Sequence, residues 1–396
     1  MKKFLMFVLM FVACFMAVAC NGNNDDTEVT SIKLGASGPL SGEVAVYGTA
    51  VEKGIKLAVE EINAAGGVEL NGKKVPFELL PMVNDDADPT KAATALNTLV
   101  AEDANVIVGA VTSGATEGLI SEAIKVGIPV ITPTGTADKL TVGEDGNQRA
   151  DRENIFRACF YDSYQGQYMA QYAKEQGYTK AYVLFNNDDA YSVGLKDAFV
   201  KTAAEGNVKL DVQVQSYTKA TNDYASYWNA IKNGGYTCVY VPDYYEKVYS
   251  VVKAAAEAGY EGVIYGGDGW DGVTTQLEET FDVAFLEQCF YTNHYFGGSE
   301  NEAVQKFVTA YKAKYNNEEP ASFAALAYDA VYMVKQAIEE CDSLDYDKII
   351  EALSEATFEG LVTSSEAFSF VDGSPAKDAV VLTFENGKEV EAKAEE

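Results

Sequence analysis

The sequence predicts an α/β fold built as two lobes of similar construction, each a parallel-rich sheet with helices on both faces. Three observations carry this. Apolar β-branched runs alternate with helical patterns from Ile32 to Val126, the spacing that parallel strands and crossover helices require. The same rhythm restarts after Arg157. About 370 residues follow the apolar N-terminus, too many for one ordinary core and suited to two.

The chain opens Met1-Lys2-Lys3, then runs apolar from Phe4 to Ala19 before Cys20 and the polar stretch Asn21–Glu28. A basic start, an apolar core and small residues before a Cys describe an export signal. Ala17-Val18-Ala19-Cys20 resembles the bacterial lipobox. The expectation is a signal over residues 1–20, lipidation at Cys20 and a tether over 21–28. The apolar run falls short of the roughly 20 residues of a spanning helix.

Ile32–Ala36 reads as the first strand, and Ser37–Gly42 as a turn-rich loop. A helix follows with Val51, Ile55, Ala58 and Ile62 on one face, stopped by Gly66-Gly67. Val75–Val83 reads as a second strand. Asp88-Pro89 supplies a cap and a first-turn proline for a helix carrying Ala92, Leu96 and Leu99.

The stretch Val106 to Asp138 reads as a β-α-β unit. Strands Val106–Ala110 and Ile128–Thr132 flank a helix over Ala115–Val126. Thr112, Ser113 and Gly114 fall where strand gives way to helix. Thr134, Gly135 and Thr136 leave the neighbouring strand at the same edge. A helix start suits an anion, most simply a carboxylate, in the crevice where open α/β sheets bind ligands. Ser113 reads equally well as a plain N-cap.

In the second half Ala181–Phe185, Val208–Val214, Cys238–Val241 and Val263–Tyr265 read as strands, with Tyr245–Ala258 as a helix ended by Gly259. Gln288–Tyr291, helices over Glu302–Tyr315 and Ala321–Glu340, and a hairpin come last. In that hairpin Ala379–Phe384 and Lys388–Glu391 flank Asn386-Gly387.

Composition narrows the function. A formal charge of −30 disfavours phosphate-based nucleic-acid binding. Cys159, Cys238, Cys289 and Cys341 are widely spaced without CxxC, which indicates neither a zinc site nor a disulfide framework. The only histidine, His294, has no GxSxG elsewhere to serve, and phosphate-loop and HExxH patterns are missing, so neither an enzyme, a cofactor nor a metal is expected. His294 reads as structural or close to a hinge. Gly267–Gly272 fits GxGxxG, but Asp268 and Asp271 place negative charge where a pyrophosphate would sit. An aspartate at the end of a parallel strand suits a ligand ammonium instead. Asn187-Asp188-Asp189 lacks the spacing of a calcium loop. Tyr191, Tyr244 and Asp268 therefore stand at successive strand ends of the second lobe.

In order, SGPLSGEVAVYG, EEINAAGGV, NDDADPTKA, GAVTSGAT and IPVITPTGTAD resemble the branched-chain amino-acid-binding family of ABC-transporter solute receptors. NIFRACFYDSYQG, NDDAYSVGLKDAF, VYVPDYYEKV and GGDGW continue the resemblance over nearly the whole chain beyond the leader. It implies two Rossmann-like lobes of the type I periplasmic-binding-protein fold, joined by a three-crossing hinge, with ligand in the interlobe cleft. By similarity the crossings fall near Arg157–Tyr161, Cys289–Thr292 and Gly360–Ser364. Lobe 1 is then 29–158 plus 291–361, and lobe 2 is 159–290 plus 362–396.

The resemblance further implies that Ser113 and Thr136, with backbone around Gly135 and adjoining Thr134, hold the α-carboxylate. Asp268 takes the α-ammonium, with Tyr191 beside it, and Tyr47 and Tyr244 line the ligand from the two lobes. Asp268 stands where the family often carries a longer glutamate. The implied protein is a monomeric, membrane-anchored lipoprotein facing the extracellular or periplasmic side. It captures a branched-chain or other apolar or aromatic amino acid for ABC permease subunits. A same-fold receptor for another small carboxylate, amide or polyol, or a sensing module for a signalling partner, is the alternative.

Overall fold

The structure, a computed structural model, describes residues 29–392. The export signal, Cys20 and the tether lie outside the described residues.

Two sheets organise the molecule. The first runs Phe77–Leu79, Ile32–Gly38, Val106–Val108, Val130–Thr132, Ile155–Arg157, all parallel, with Val83–Asn84 pairing the far end of Ile32–Gly38. The second runs Asp211–Tyr217, Lys180–Asn186, Cys238–Tyr240, Val263–Gly266, Cys289–Asn293, Val380–Glu385, Lys388–Glu391. It is parallel as far as Cys289–Asn293 and antiparallel beyond. This is the expected two-lobe α/β architecture.

Helices cover these sheets through closely approaching backbones. Ala45–Ala64 buries Val51, Ile55, Ala58 and Ile62 and packs on Ser322–Cys341. At Gly54 the approach is so close that a Cβ would lie 2.1 Å from the Ala324 carbonyl oxygen. Pro89–Ala101 is capped as its sequence indicates: Asp88 Oδ1 accepts from the N–H groups of Thr90 and Lys91, each at 2.9 Å. The hairpin turn also forms, with Asn386 at φ 52° and Gly387 at 75°.

Several elements differ from expectation, each for a local reason. The strand expected over Val75–Val83 breaks into Lys73–Val75, Phe77–Leu79 and Val83–Asn84. Pro76 and Pro81 interrupt it, having no N–H to give the ladder. The strand expected over Val208–Val214 becomes Asp211–Tyr217. Lys209 takes a positive φ of 49°, so pairing begins only after it.

The passages between the lobes also move. Cys289–Asn293 completes the second sheet, so the second passage follows Asn293 rather than falling at 289–292. Thr357–Phe358, Phe368–Val371 and Ser374–Pro375 form a small antiparallel sheet against the first lobe. There Arg157 N donates to Gly373 O at 3.0 Å, and Phe370 packs on Phe156 with ring centroids 5.2 Å apart. The chain therefore enters the second sheet for good between Pro375 and Val380, later than 360–364. Residues 291–293 thus pair with the second sheet and 362–375 lie by the first lobe. Cys159, Cys238, Cys289 and Cys341 are free thiols.

Candidate functional site

The first-lobe wall is built by the loops leaving Val106–Val108 and Val130–Thr132. The helix starts earlier than its periodicity indicates, at Ser113, because Thr112 is the cap: its Oγ1 accepts from Ala115 N at 3.4 Å. Ser113 is therefore the first helical residue, and its buried Oγ accepts from Ala137 N at 3.2 Å. Thr134 Oγ1 donates to Val111 O at 2.6 Å, and Gly135 N donates to Thr132 Oγ1 at 2.8 Å. The guanidinium of buried Arg157 donates to the carbonyls of Gly135 and Ala137 and fixes the loop from behind. Thr136 is 1% exposed; among the described residues its hydroxyl makes no hydrogen bond of ordinary geometry, though it faces the Asp162 carboxyl. A buried hydroxyl in that condition is the kind of group a ligand satisfies.

The second-lobe wall centres on Asp268, at the end of Val263–Gly266. A short 3-10 turn over Asp268–Trp270 follows, not a full helix, so Gly267–Gly272 offers no helix N-terminus to a pyrophosphate. Asp268 is buried and held by three donors. Tyr191 Oη lies 2.8 Å and Gln165 Nε2 3.0 Å from Oδ1, and His294 Nε2 lies 3.0 Å from Oδ2. Gln165 Oε1 in turn accepts from Asp268 N and from Thr292 Oγ1. Tyr191 Oη accepts from Gly269 N at 2.7 Å. Asp189 and Asp188 serve structural ends: Asp189 caps the helix Ala190–Ala203, and Asp188 Oδ2 accepts from Lys219 N.

Burial controls the electrostatics. Asp162, whose Oδ1 accepts from Gln165, is pushed well above the usual carboxylate range by burial and then by nearby Asp138. Burial lowers the His294 imidazole below its ordinary value, against the opposing pull of Asp268. Burial, then Asp189, raises Asp243 to about 7.

Tyrosines close the space and bring the lobes together. Tyr191 and Tyr244 stack with centroids 4.8 Å apart and planes at 7°, and Tyr47 meets Tyr244 edge-on at 5.7 Å. Tyr47 comes from the first-lobe helix Ala45–Ala64. Its hydroxyl donates to Gly269 O at 2.5 Å and accepts from Tyr245 N at 3.2 Å. Asp162 N donates to Thr136 O at 2.9 Å. A continuous polar path thus runs from Thr136 through Asp162 and Gln165 to Asp268, so the two walls belong to one site.

The family model for periplasmic binding proteins matches residues 31–389. The chain belongs to the periplasmic binding protein family. Among its relatives, Leu/Ile/Val-binding protein homolog 3 of Brucella melitensis is 30% identical over 79% of this chain and 80% of that protein. The leucine-, isoleucine-, valine-, threonine-, and alanine-binding protein of Pseudomonas aeruginosa is 28% identical, covering 83% of each chain. Two solved structures share the architecture. A leucine-binding protein of Thermotoga maritima superposes with a TM-score of 0.80 at 26% identity, covering 91% of this chain and 98% of that one. The branched-chain amino acid transporter substrate-binding protein of Streptococcus pneumoniae, in complex with isoleucine, gives 0.79 at 30% identity, covering 91% and 100%.

Within this periplasmic binding protein, all eight residues singled out at the cleft lie on the loops and helix ends just described. Four others share the site without a sequence signal. Asp162 and Gln165 lie on one helix face at i, i+3, but no pattern links them to a residue a hundred positions on. Thr292 lies in the strand Cys289–Asn293, which runs past the expected end at Tyr291, and His294 follows it. His294 reaches Asp268 and stacks on Phe160 with centroids 3.8 Å apart, which makes it part of the site and not only of the hinge.

Proposed function

We propose that this chain is the extracytoplasmic substrate-binding component of an ABC importer and captures a zwitterionic amino acid between its lobes. The observation that carries the reading is the pairing of a buried carboxylate, Asp268, with a buried, incompletely satisfied hydroxyl, Thr136, on opposite walls of one tyrosine-lined cleft. An α-ammonium needs the first. An α-carboxylate is served by the second, together with Ser113, the Gly135 backbone and the helix start at Ser113. Relatives named for leucine, isoleucine and valine, and the isoleucine complex of the pneumococcal protein, support a branched-chain or similar apolar side chain. Tyr47 and Tyr244 would line the ligand from the two lobes, with Tyr191 beside the ammonium. The protein would act as a monomer, without catalysis or cofactor, delivering ligand to permease subunits. Cys20 would anchor it by lipid to the outer side of the membrane.

Thermal unfolding of refolded protein against a panel of amino acids tests this. Ligand at 100 times its dissociation constant stabilises by about 2.7 kcal/mol. A raised midpoint with one or a few apolar amino acids is expected. No shift with any of them, alongside a shift with a ligand lacking an ammonium, would overturn the assignment.

A further inference from the structure

The chain's only histidine lies against the carboxylate that the proposed function gives to the ligand's ammonium. His294 follows the last strand before the second passage between lobes, and its ring stacks on Phe160 of the first passage. It is buried, with Nε2 3.0 Å from Asp268 Oδ2, while Nδ1 has no hydrogen-bond partner among the described residues. A neutral imidazole carrying its proton on Nε2 donates to Asp268 and leaves Nδ1 as a vacant acceptor.

Resting on the proposed function, we propose that His294 is a positioning residue that orients Asp268 and, on binding a second proton, competes with the ligand's ammonium for that carboxylate. Neutral His294 supplies one hydrogen bond and no charge, so the carboxylate keeps its full negative charge for the ligand. Protonation at Nδ1 turns the contact into an ion pair, and the ammonium then meets a carboxylate already neutralised by a neighbour.

Burial favours the neutral form, against the nearby carboxylates. From the loop after Val263–Gly266, Asp268 and Asp271 attract a proton to the ring. From the third passage, Lys377 opposes one. Lys377 is itself buried, donating to Ala158 O and Thr363 Oγ1, and burial lowers it to about 8. Tyr191 and Gln165 donate to Asp268, Gln165 also to Asp162, and Cys159 is a buried thiol pushed up to about 12. Burial itself lowers His294. A ligand ammonium beside Asp268 adds another positive charge and must lower it further. By reciprocity, protonating His294 must weaken the ligand by the same factor.

Because there is one histidine, its imidazole resonances need no assignment. Histidine-labelled protein is titrated by NMR with and without saturating L-isoleucine, and the isoleucine dissociation constant is measured calorimetrically across the same pH range for wild type and His294→Gln. The expected result is a titration midpoint that moves to lower pH when isoleucine is bound. The dissociation constant should rise by up to about tenfold for each pH unit lowered between the two midpoints, the limit for one linked proton. His294→Gln should flatten that dependence. A midpoint unmoved by isoleucine, or a His294→Gln variant with the wild-type pH slope, would overturn the proposal while leaving amino-acid binding intact. Failure of wild type to bind isoleucine or any other apolar amino acid of the panel at neutral pH would overturn the functional reading and this proposal with it.

Discussion

Tyr47 and Gly269 join the lobes beside Asp268: the Tyr47 hydroxyl, carried on a first-lobe helix, donates to the carbonyl of the residue immediately after Asp268 at 2.5 Å. The same oxygen accepts from Tyr245 N, so one hydroxyl links two second-lobe loops to the first lobe. Separating the lobes would break these bonds, so a ligand that prefers the shut form would draw on them.

Tyr47→Phe should therefore favour the open form. The ring still packs on Phe323 and Tyr244, but Gly269 O and Tyr245 N lose their partner. A loss of about 1–1.5 kcal/mol is expected, a several-fold weaker affinity by calorimetry. Small-angle scattering of the ligand-free variant should give a larger radius of gyration than wild type.

Asp268→Asn tests charge with shape retained. Tyr191 keeps an acceptor, while the ammonium loses its counter-charge. Removing one partner of a buried ion pair costs about 3–5 kcal/mol, so amino-acid affinity should fall by two orders of magnitude or more. Circular dichroism should show the fold unchanged. Wild-type affinity in this variant would exclude Asp268 as the ammonium partner.

Gly54→Ala addresses the scaffold. The new Cβ would sit 2.1 Å from Ala324 O, forcing Ala45–Ala64 away from Ser322–Cys341. Overpacking of this kind costs about 1–3 kcal/mol, read as a lower melting temperature. Gly42→Ala, where a Cβ meets nothing within 4 Å, separates steric clash from backbone strain, since its φ is +87°.

Asp243 gives a pH signature of stability. Burial raises its folded value to about 7, although Tyr217 Oη and Tyr244 N both donate to it. Between the unfolded value near 4 and about 7 the folded state binds more protons than the unfolded one, so this residue makes stability fall as pH rises through that window. Asp243→Asn should flatten the slope. Chemical denaturation at pH 4.5 and 7.5 checks it: the variant should gain on wild type at the higher pH.

The fold was largely legible because its signals are local. Asp88-Pro89 caps a helix, Asn386-Gly387 turns a hairpin, and Val51, Ile55, Ala58 and Ile62 mark a buried face. Edge strands were less legible: Pro76 and Pro81 cut one run, and Lys209 delayed another. At the site, residues at strand ends could be named because topology brings such ends to one crevice. Gln165 and His294 could not, since their roles depend on a carboxylate 103 and 26 positions away in sequence, and only the tertiary fold of the second lobe brings them within 3.0 Å of it. Likewise the passage between Pro375 and Val380 is set by Phe370 packing on Phe156, a contact without a sequence pattern.

The most direct test compares L-leucine with isocaproate, which is leucine without its amine, by calorimetric titration of refolded wild type and Asp268→Ala. Wild type should bind leucine and reject isocaproate by at least two orders of magnitude, and the variant should lose that discrimination. Equal affinity of wild type for the two molecules would contradict recognition of an amino acid through Asp268.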